Sequence, residues 1–222
     1  MFKGKAVAFA LMLVIAASVY AGDVDDCRST AGITGCSQMQ LTICPAGDFE
    51  PIMNACGTGI NAYIWITARD ADGNPIPGIP WTDYWLNACD PVKQLALCAS
   101  AVVADSITGP SGTTTFRGTV AGGGCTLTQG IWWAIQGKVL KGSYPECTTP
   151  VCLNVIVKSP DLTGAGNKPD GVINLSDLIP FGNSYNKNLG QAGYNACCDY
   201  NDDGKCNLSD FAYFGTHYQH RC

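Results

Sequence analysis

The stretch Asp199-Tyr200-Asn201-Asp202-Asp203-Gly204-Lys205-Cys206-Asn207-Leu208-Ser209-Asp210 decides how the C-terminal part of this chain folds. Side-chain oxygens fall at positions 1, 3, 5, 9 and 12 of the stretch, with Gly204 at position 6. A hard divalent cation takes about six to eight oxygens at about 2.3–2.6 Å, and alternate residues of a tightly wound loop aim theirs inward. Asp199, Asn201 and Asp203 would supply three of them and the Lys205 carbonyl a fourth. Asn207 would be the ninth-position ligand, direct or through water, and Asp210 would close the shell from the start of the following helix. Gly204 permits the sharp turn that a side chain would obstruct. The stretch therefore reads as a Ca2+ loop, because a solvated Asp/Asn/Gly turn has no need to keep every ligand position in register.

Working outward, Asn207-Leu208-Ser209-Asp210 with Phe214-Gly215 and Tyr218 repeats an earlier Asn174-Leu175-Ser176-Asp177 with Phe181-Gly182 and Tyr185 at identical spacing. Such periodicity marks one supersecondary unit used twice. In the first copy Asp170, the Val172 carbonyl, Asn174 and Asp177 take the ligand positions. Its beginning is stretched: Asp161 lies nine residues before Asp170, where Asp199 lies four before Asp203. A Gly-rich bulge has to return Asp161 and Asn167 to the metal. Two Ca2+ sites are expected, the second the more regular.

Leu178, Phe181 and Tyr185 after the first loop, and Phe211, Phe214 and Tyr218 after the second, fall on one face of a short helix and predict mutual packing. Ile173 and Cys206 occupy matching eighth positions, where a short backbone bridge between paired loops is expected to bury both side chains. Cys206 is the expected unpaired thiol, a small hydrophobe. Cys197, Cys198 and Cys222 bracket the second unit and are expected to staple it. A module of about 60 residues has a meagre core, so metal and disulfides should supply much of its stability.

Asp at position 12, Asn at position 9, and one helix followed by a second loop–helix copy resemble a dockerin module over residues 158–222. The resemblance implies calcium-dependent binding to a cohesin-like partner through positions 10 and 11 of each loop. Those residues are Leu175-Ser176 and Leu208-Ser209, identical between copies, which would preserve a two-fold interchangeable surface. They replace the Ser-Thr pair common in the family.

Residues 22–157 read differently. Segments 62–67, 101–103, 113–119, 131–140 and 151–157 are rich in β-formers and bounded by Gly, Pro, Ser or Cys, and Asp72-Gly73-Asn74-Pro75 supplies turn chemistry. Short strands at such spacing predict a sandwich. Ile66-Thr67-Ala68-Arg69-Asp70-Ala71-Asp72-Gly73-Asn74-Pro75, followed by Gly112-Thr113-Thr114-Thr115-Phe116, resembles bacterial Ig-like or transthyretin-like modules. The expected fold class is mainly β with a small α part: a disulfide-rich Ig-like β-sandwich, then the dockerin-like pair of calcium units.

Lys3 and Lys5 precede an uncharged apolar run over residues 6–17 and small residues at cleavage spacing, so residues 1–21 read as a secretory signal peptide. That run is too short to span a bilayer and no later one is longer, so no integral membrane segment is expected. All 13 cysteines follow it, which places the protein outside the cell or at its surface and favours disulfides over metal clusters. The spacings hold no paired CxxC, and both histidines stand at the extreme C-terminus. Thirteen is odd, so at least one thiol is left over. A net charge of -5 with 14% charged residues argues against a nucleic-acid partner.

No nucleophile–base or paired-carboxylate motif marks an enzyme; residues 22–157 hold no histidine, and a glycosidase using two carboxylates is the catalytic alternative. Strand alternation over Trp81, Asp83 and Trp85 would present one face for stacking on a glycan. The leading reading is a secreted, non-catalytic, calcium-dependent docking protein. The alternatives are a self-assembling subunit of an extracellular fibre or surface layer, and a carbohydrate-binding or polysaccharide-degrading component.

Overall fold

The structure is a computed structural model and describes residues 23–57, 59–89, 94–98, 102–128, 131–135, 138–141, 145, 147, 152–164 and 168–222. The expected leader and Asn167 lie outside them. The chain is mainly β. Ten strands come first: β1 (Thr30–Thr34), β2 (Met39–Thr42), β3 (Tyr63–Thr67), β4 (Tyr84–Ala88), β5 (Leu95–Leu97), β6 (Thr113–Phe116), β7 (Gly122–Gly124), β8 (Ile131–Ile135), β9 (Lys138–Val139) and β10 (Val155–Lys158). The helical part follows as α1 (Leu178–Ser184), β11 (Lys187–Asn188), β12 (Lys205–Cys206) and α2 (Leu208–Thr216).

The strands form small sheets around one core. β3 lies between β1 and β6, antiparallel to both, with Ile66 opposite Ala31 on one side and Thr114 on the other. β8 lies between β4 and β9, β5 pairs with β7, and β10 runs parallel to β2 with Val157 opposite Leu41. The alternation of β3 and β4 explains their faces. Ile64 and Ile66 of β3, and Tyr84 and Leu86 of β4, are buried with Met39, Leu41, Phe116, Val155 and Val157. Burial of each large apolar side chain is worth about 1.5–3 kcal/mol. The predicted turn forms as read. Asp70 N–H donates to the Asn74 carbonyl at 3.0 Å, Gly73 N–H to the Asp70 carbonyl at 2.9 Å, and Gly73 takes a φ of +86° that favours glycine.

Two expected strands are corrected. Val102 and Val103 form none, and Trp81–Asp83 is a single 3₁₀ turn that leads into β4. The Pro80 carbonyl accepts from Asp83 N–H at 3.0 Å and the Trp81 carbonyl from Tyr84 N–H, so the turn uses these amides itself and ladder pairing begins at Tyr84. The face expected from alternation of Trp81, Asp83 and Trp85 is therefore not a strand face, although both tryptophans are exposed, at 45% and 37%.

A second apolar cluster gathers Ile173, Phe181, Cys198, Tyr200, Cys206 and Phe214, and Cys44 and Phe49 from the segment after β2 join it. Five disulfides tie the chain: Cys27–Cys147, Cys36–Cys56, Cys89–Cys152, Cys98–Cys222 and Cys125–Cys197. The last two join the C-terminal units to the β part. Cys197 and Cys222 are staples as expected, whereas Cys198 is a buried free thiol, as are Cys206 and Cys44. Among the described residues no helix is long and apolar enough to cross a membrane.

Candidate metal loops

The two loops place their acids alike despite unequal lengths. In the second, Asp199 is fully buried; its Oδ1 accepts from Asp203 N–H at 3.2 Å and its Oδ2 from Gly204 N–H at 3.0 Å. In the first, Asp161 is also fully buried, and its oxygens accept from Asp170 N–H at 3.2 Å and Gly171 N–H at 2.9 Å. Asp170 thus stands for Asp203 and Gly171 for Gly204, and the glycines share a left-handed φ of +81° and +80°. The unequal spacing leaves the register intact.

The closing halves agree as closely. Asp210 accepts from Tyr200 N–H at 2.8 Å and from Asn207 N–H at 2.9 Å, and Asp177 accepts from Leu162 and Asn174 N–H, both at 2.8 Å. Asn207 Oδ1 accepts from Ser209 N–H and Asn174 Oδ1 from Ser176 N–H. Asn207 and Asp210 together form a capping box on α2. Asp203 Oδ1 accepts from Lys205 N–H at 2.9 Å and Asp170 Oδ1 from Val172 N–H at 3.0 Å.

In the second loop, capping of α2 explains the ninth and twelfth positions. It does not explain two fully buried acids at the first positions, Asp161 and Asp199. Burial pushes the Asp161 carboxyl up to about 7, with the Asp177 carboxylate adding to the effect, and burial raises Asp210 as well. Among the described residues the ion pairs to Lys, Arg and His lie elsewhere, on Asp105, Asp26, Asp202 and Asp48. The buried loop acids are thus held by amides and by two hydroxyls: Tyr194 Oη donates to Asp199 Oδ2 at 2.7 Å and Thr163 Oγ1 to Asp177 Oδ1 at 3.1 Å. Oxygens of this kind are what a hard cation would take. Asn201, Asp203 and Lys205 are exposed at the rim.

The expected bridge between eighth positions takes another form. Ile173 and Cys206 are both buried, but they do not pair with each other. Ile173 N–H donates to the His220 carbonyl and Gln219 N–H to the Ile173 carbonyl, while Cys206 lies opposite Lys187 in the β11–β12 pair. Each loop therefore pairs with the chain that follows the other unit's helix, an approximate two-fold exchange. The helices meet through Phe181 and Phe214, with ring centroids 6.2 Å apart, and Phe211 stands 5.8 Å from Phe181. Leu178 is half-buried, whereas Tyr185, Phe211 and Tyr218 keep more than a third of their surface in water. Leu175 and Leu208 are each 67% exposed, with Ser176 and Ser209 exposed beside them.

Sequence reasoning did not find where the loops sit. Lys158, buried at the end of β10, donates to the Asp199 carbonyl and to Asp202 Oδ1, both at 2.7 Å, and Thr42 Oγ1 of β2 donates to the Tyr200 carbonyl at 2.9 Å. The first loop rests on β7, where Gly124 N–H donates to the Asp161 carbonyl at 2.6 Å. The signal was the glycine run Gly122-Gly123-Gly124, which leaves room for a close approach. Sequence reasoning also set the histidines aside for their terminal position, yet the fold returns His220 to Cys44, 176 residues away in sequence.

No protein-family model and no curated protein matches the sequence. Among solved structures the chain is similar to two interface mutants of a type II cohesin–X-dockerin complex from Acetivibrio cellulolyticus. The N-terminal interface mutant is 14% identical with a TM-score of 0.30, covering 87% of this chain and 96% of that one. The C-terminal interface mutant is 14% identical with a TM-score of 0.29, covering 83% and 97%.

Proposed function

We propose that this chain is a secreted, non-catalytic calcium-binding protein whose two loop–helix units, residues 158–222, dock it onto a cohesin-like protein at the cell surface or in an extracellular assembly. The observation that carries this reading is the bond-for-bond equivalence of the two loops. Two stretches of different length arrive at one pattern of buried first-position and twelfth-position acids around a left-handed glycine. Calcium would take Asp199, Asn201, Asp203, the Lys205 carbonyl, Asn207 and Asp210 in one loop, and Asp161, Asp170, the Val172 carbonyl, Asn174 and Asp177 in the other. It would neutralise the buried carboxylates, so that binding and folding of the units are coupled. The equal exposure of Leu175-Ser176 and Leu208-Ser209 supports two interchangeable docking faces. Five disulfides fit an oxidising compartment.

Thermal melts of the purified chain with calcium and with EDTA test the metal, and capture of a purified cohesin domain tests the docking. Calcium at about a hundred times its Kd should add about 2.7 kcal/mol of stability. Asp203→Ala should remove one of two bound calcium ions. Capture should require calcium and fail in the Leu175→Asp/Leu208→Asp double variant. An EDTA melt identical to the calcium melt sinks the metal; calcium binding without capture sinks the docking.

The exposed pair Trp81 and Trp85 favours a second reading, a glycan-binding surface on the β part with Asp83 between them. Glycan-array signal that disappears in Trp81→Ala and Trp85→Ala supports it, and silence across polysaccharides removes it.

A further inference from the structure

Among the described residues outside the loops, one group of metal-ligating side chains draws together. Cys44, Asp48, His217 and His220 each offer one ligand atom, and the four atoms lie within 4.8 Å of one another. The Cys44 thiol donates to Asp48 Oδ1 at 2.8 Å, His220 Nδ1 lies 3.2 Å from that same oxygen, and Cys44 Sγ lies 3.9 Å from His220 Nδ1. We propose that Cys44, Asp48, His217 and His220 bind one zinc ion, clamping the segment after β2 to the end of α2.

The donor set argues for this class of ion. One thiolate, two imidazoles and one carboxylate are the ligands of a closed tetrahedral zinc site, with bonds of about 2.0–2.3 Å that put neighbouring ligand atoms about 3.3–3.8 Å apart. The present spacing is within about 1 Å of that. A hard cation such as Ca2+ has no preference for thiol or imidazole, so this site and the loops select different metals.

Both sides of the site are held. His217 stacks on Phe49 with ring centroids 4.3 Å apart, and its Nδ1 lies 2.8 Å from the Tyr213 carbonyl. A carbonyl only accepts, so Nδ1 carries the hydrogen and Nε2 is left to ligate, with the carbonyl fixing the ring as outer partners of metal-bound histidines do. Two residues beyond His220, the Cys98–Cys222 disulfide anchors the chain end. On the other side the Cys44 carbonyl accepts from Gly122 N–H at 3.0 Å. Asp48 and His217 also line a cleft of about 840 Å³ between the β part and the second loop, a route for an ion to enter.

Cys44 is not a thiol waiting for a cysteine. Ten of the 13 cysteines are paired, and the other two free ones, Cys198 and Cys206, are buried together in the second apolar cluster. Cys44 is buried against an acid and imidazole instead. Zinc binding would release its thiol proton to water and leave a thiolate on the metal.

The test uses the full chain with disulfides intact and calcium saturating. Metal-free protein is titrated with Zn2+ and with Co2+, whose thiolate charge-transfer band reports sulfur ligation. One zinc per chain and a tetrahedral cobalt spectrum with that band are expected. Cys44→Ser should abolish the band, and His217→Ala, a partly exposed position, should weaken zinc binding by more than about tenfold. Saturating calcium keeps the loops occupied, so both signals report this site alone. No zinc retained, or zinc retained without a thiolate band while Cys44 is still alkylatable, overturns the proposal.

Discussion

Gly123 shows how one residue couples the two parts of the molecule. A Cβ at this position would collide with the Asp161 carboxylate and stand 2.9 Å from Pro169 Cβ. The missing side chain lets the first loop lie flat on β7, and the buried acid that begins the loop fills the space. Gly123→Ala is expected to push Asp161 away at a cost of about 1–3 kcal/mol, as overpacking does. Calorimetric titration should then find one strong calcium site where the unsubstituted chain has two, with the surviving site in the second loop. Two undiminished sites in Gly123→Ala would show that Asp161 is not a ligand. The spacing of Asp199, Asn201 and Asp203 was legible in the chain because loop ligands are close neighbours. Asp161 was assigned to the first site only on condition that the nine residues before Asp170 return it there, and the tertiary structure supplies its bonds to Asp170 and Gly171.

At the scale of elements, the turn between Arg69 and Pro75 is organised by a single carboxylate. Asp70 Oδ1 accepts from Asn74 N–H at 2.8 Å and Asp72 N–H at 3.0 Å. Those amides, Asn74 first, hold its pKa below the usual carboxylate range. The folded pKa is lowered, so the ionised group stabilises the turn above the unfolded value of about 4, and that stability is lost as pH falls through the folded value. Asp70→Asn should therefore melt at a lower temperature than the unsubstituted chain at pH 7, with the difference shrinking toward about pH 2. A pH-independent difference would show that the charge is irrelevant. Turn chemistry of this kind is readable because donor and acceptor sit within four residues. The 3₁₀ turn Trp81–Asp83 escaped the alternation pattern because a pattern of side chains does not record that the Asp83 and Tyr84 amides bond back to the Pro80 and Trp81 carbonyls. The helix faces were half legible: Phe181 and Phe214 are buried as the spacing predicts, but helices of seven and nine residues are too short to cover Tyr185, Phe211 and Tyr218.

For the whole molecule, the question is what keeps the C-terminal units on the β part. Lys158, Thr42 and β7 supply polar contacts, and Cys125–Cys197 closes a separation of 72 residues. The Cys125→Ser/Cys197→Ser double variant should lose about 2–4 kcal/mol in a denaturant titration, since the unfolded chain regains the loop's freedom. Calcium in the second loop should survive, because its ligands are contiguous; loss of that site with the disulfide would show that the loop is formed only by its attachment. The chain by itself determined the β-rich first part, the paired loops and the short helices after them, because alternation, ligand spacing and helix period are local properties. Only the tertiary structure decided which ten cysteines pair, how each loop bridges to the segment after the other helix, and how Cys44 and Asp48 come to face His217 and His220. Those contacts join residues far apart in the chain, and their partners are chosen by packing that no local pattern records.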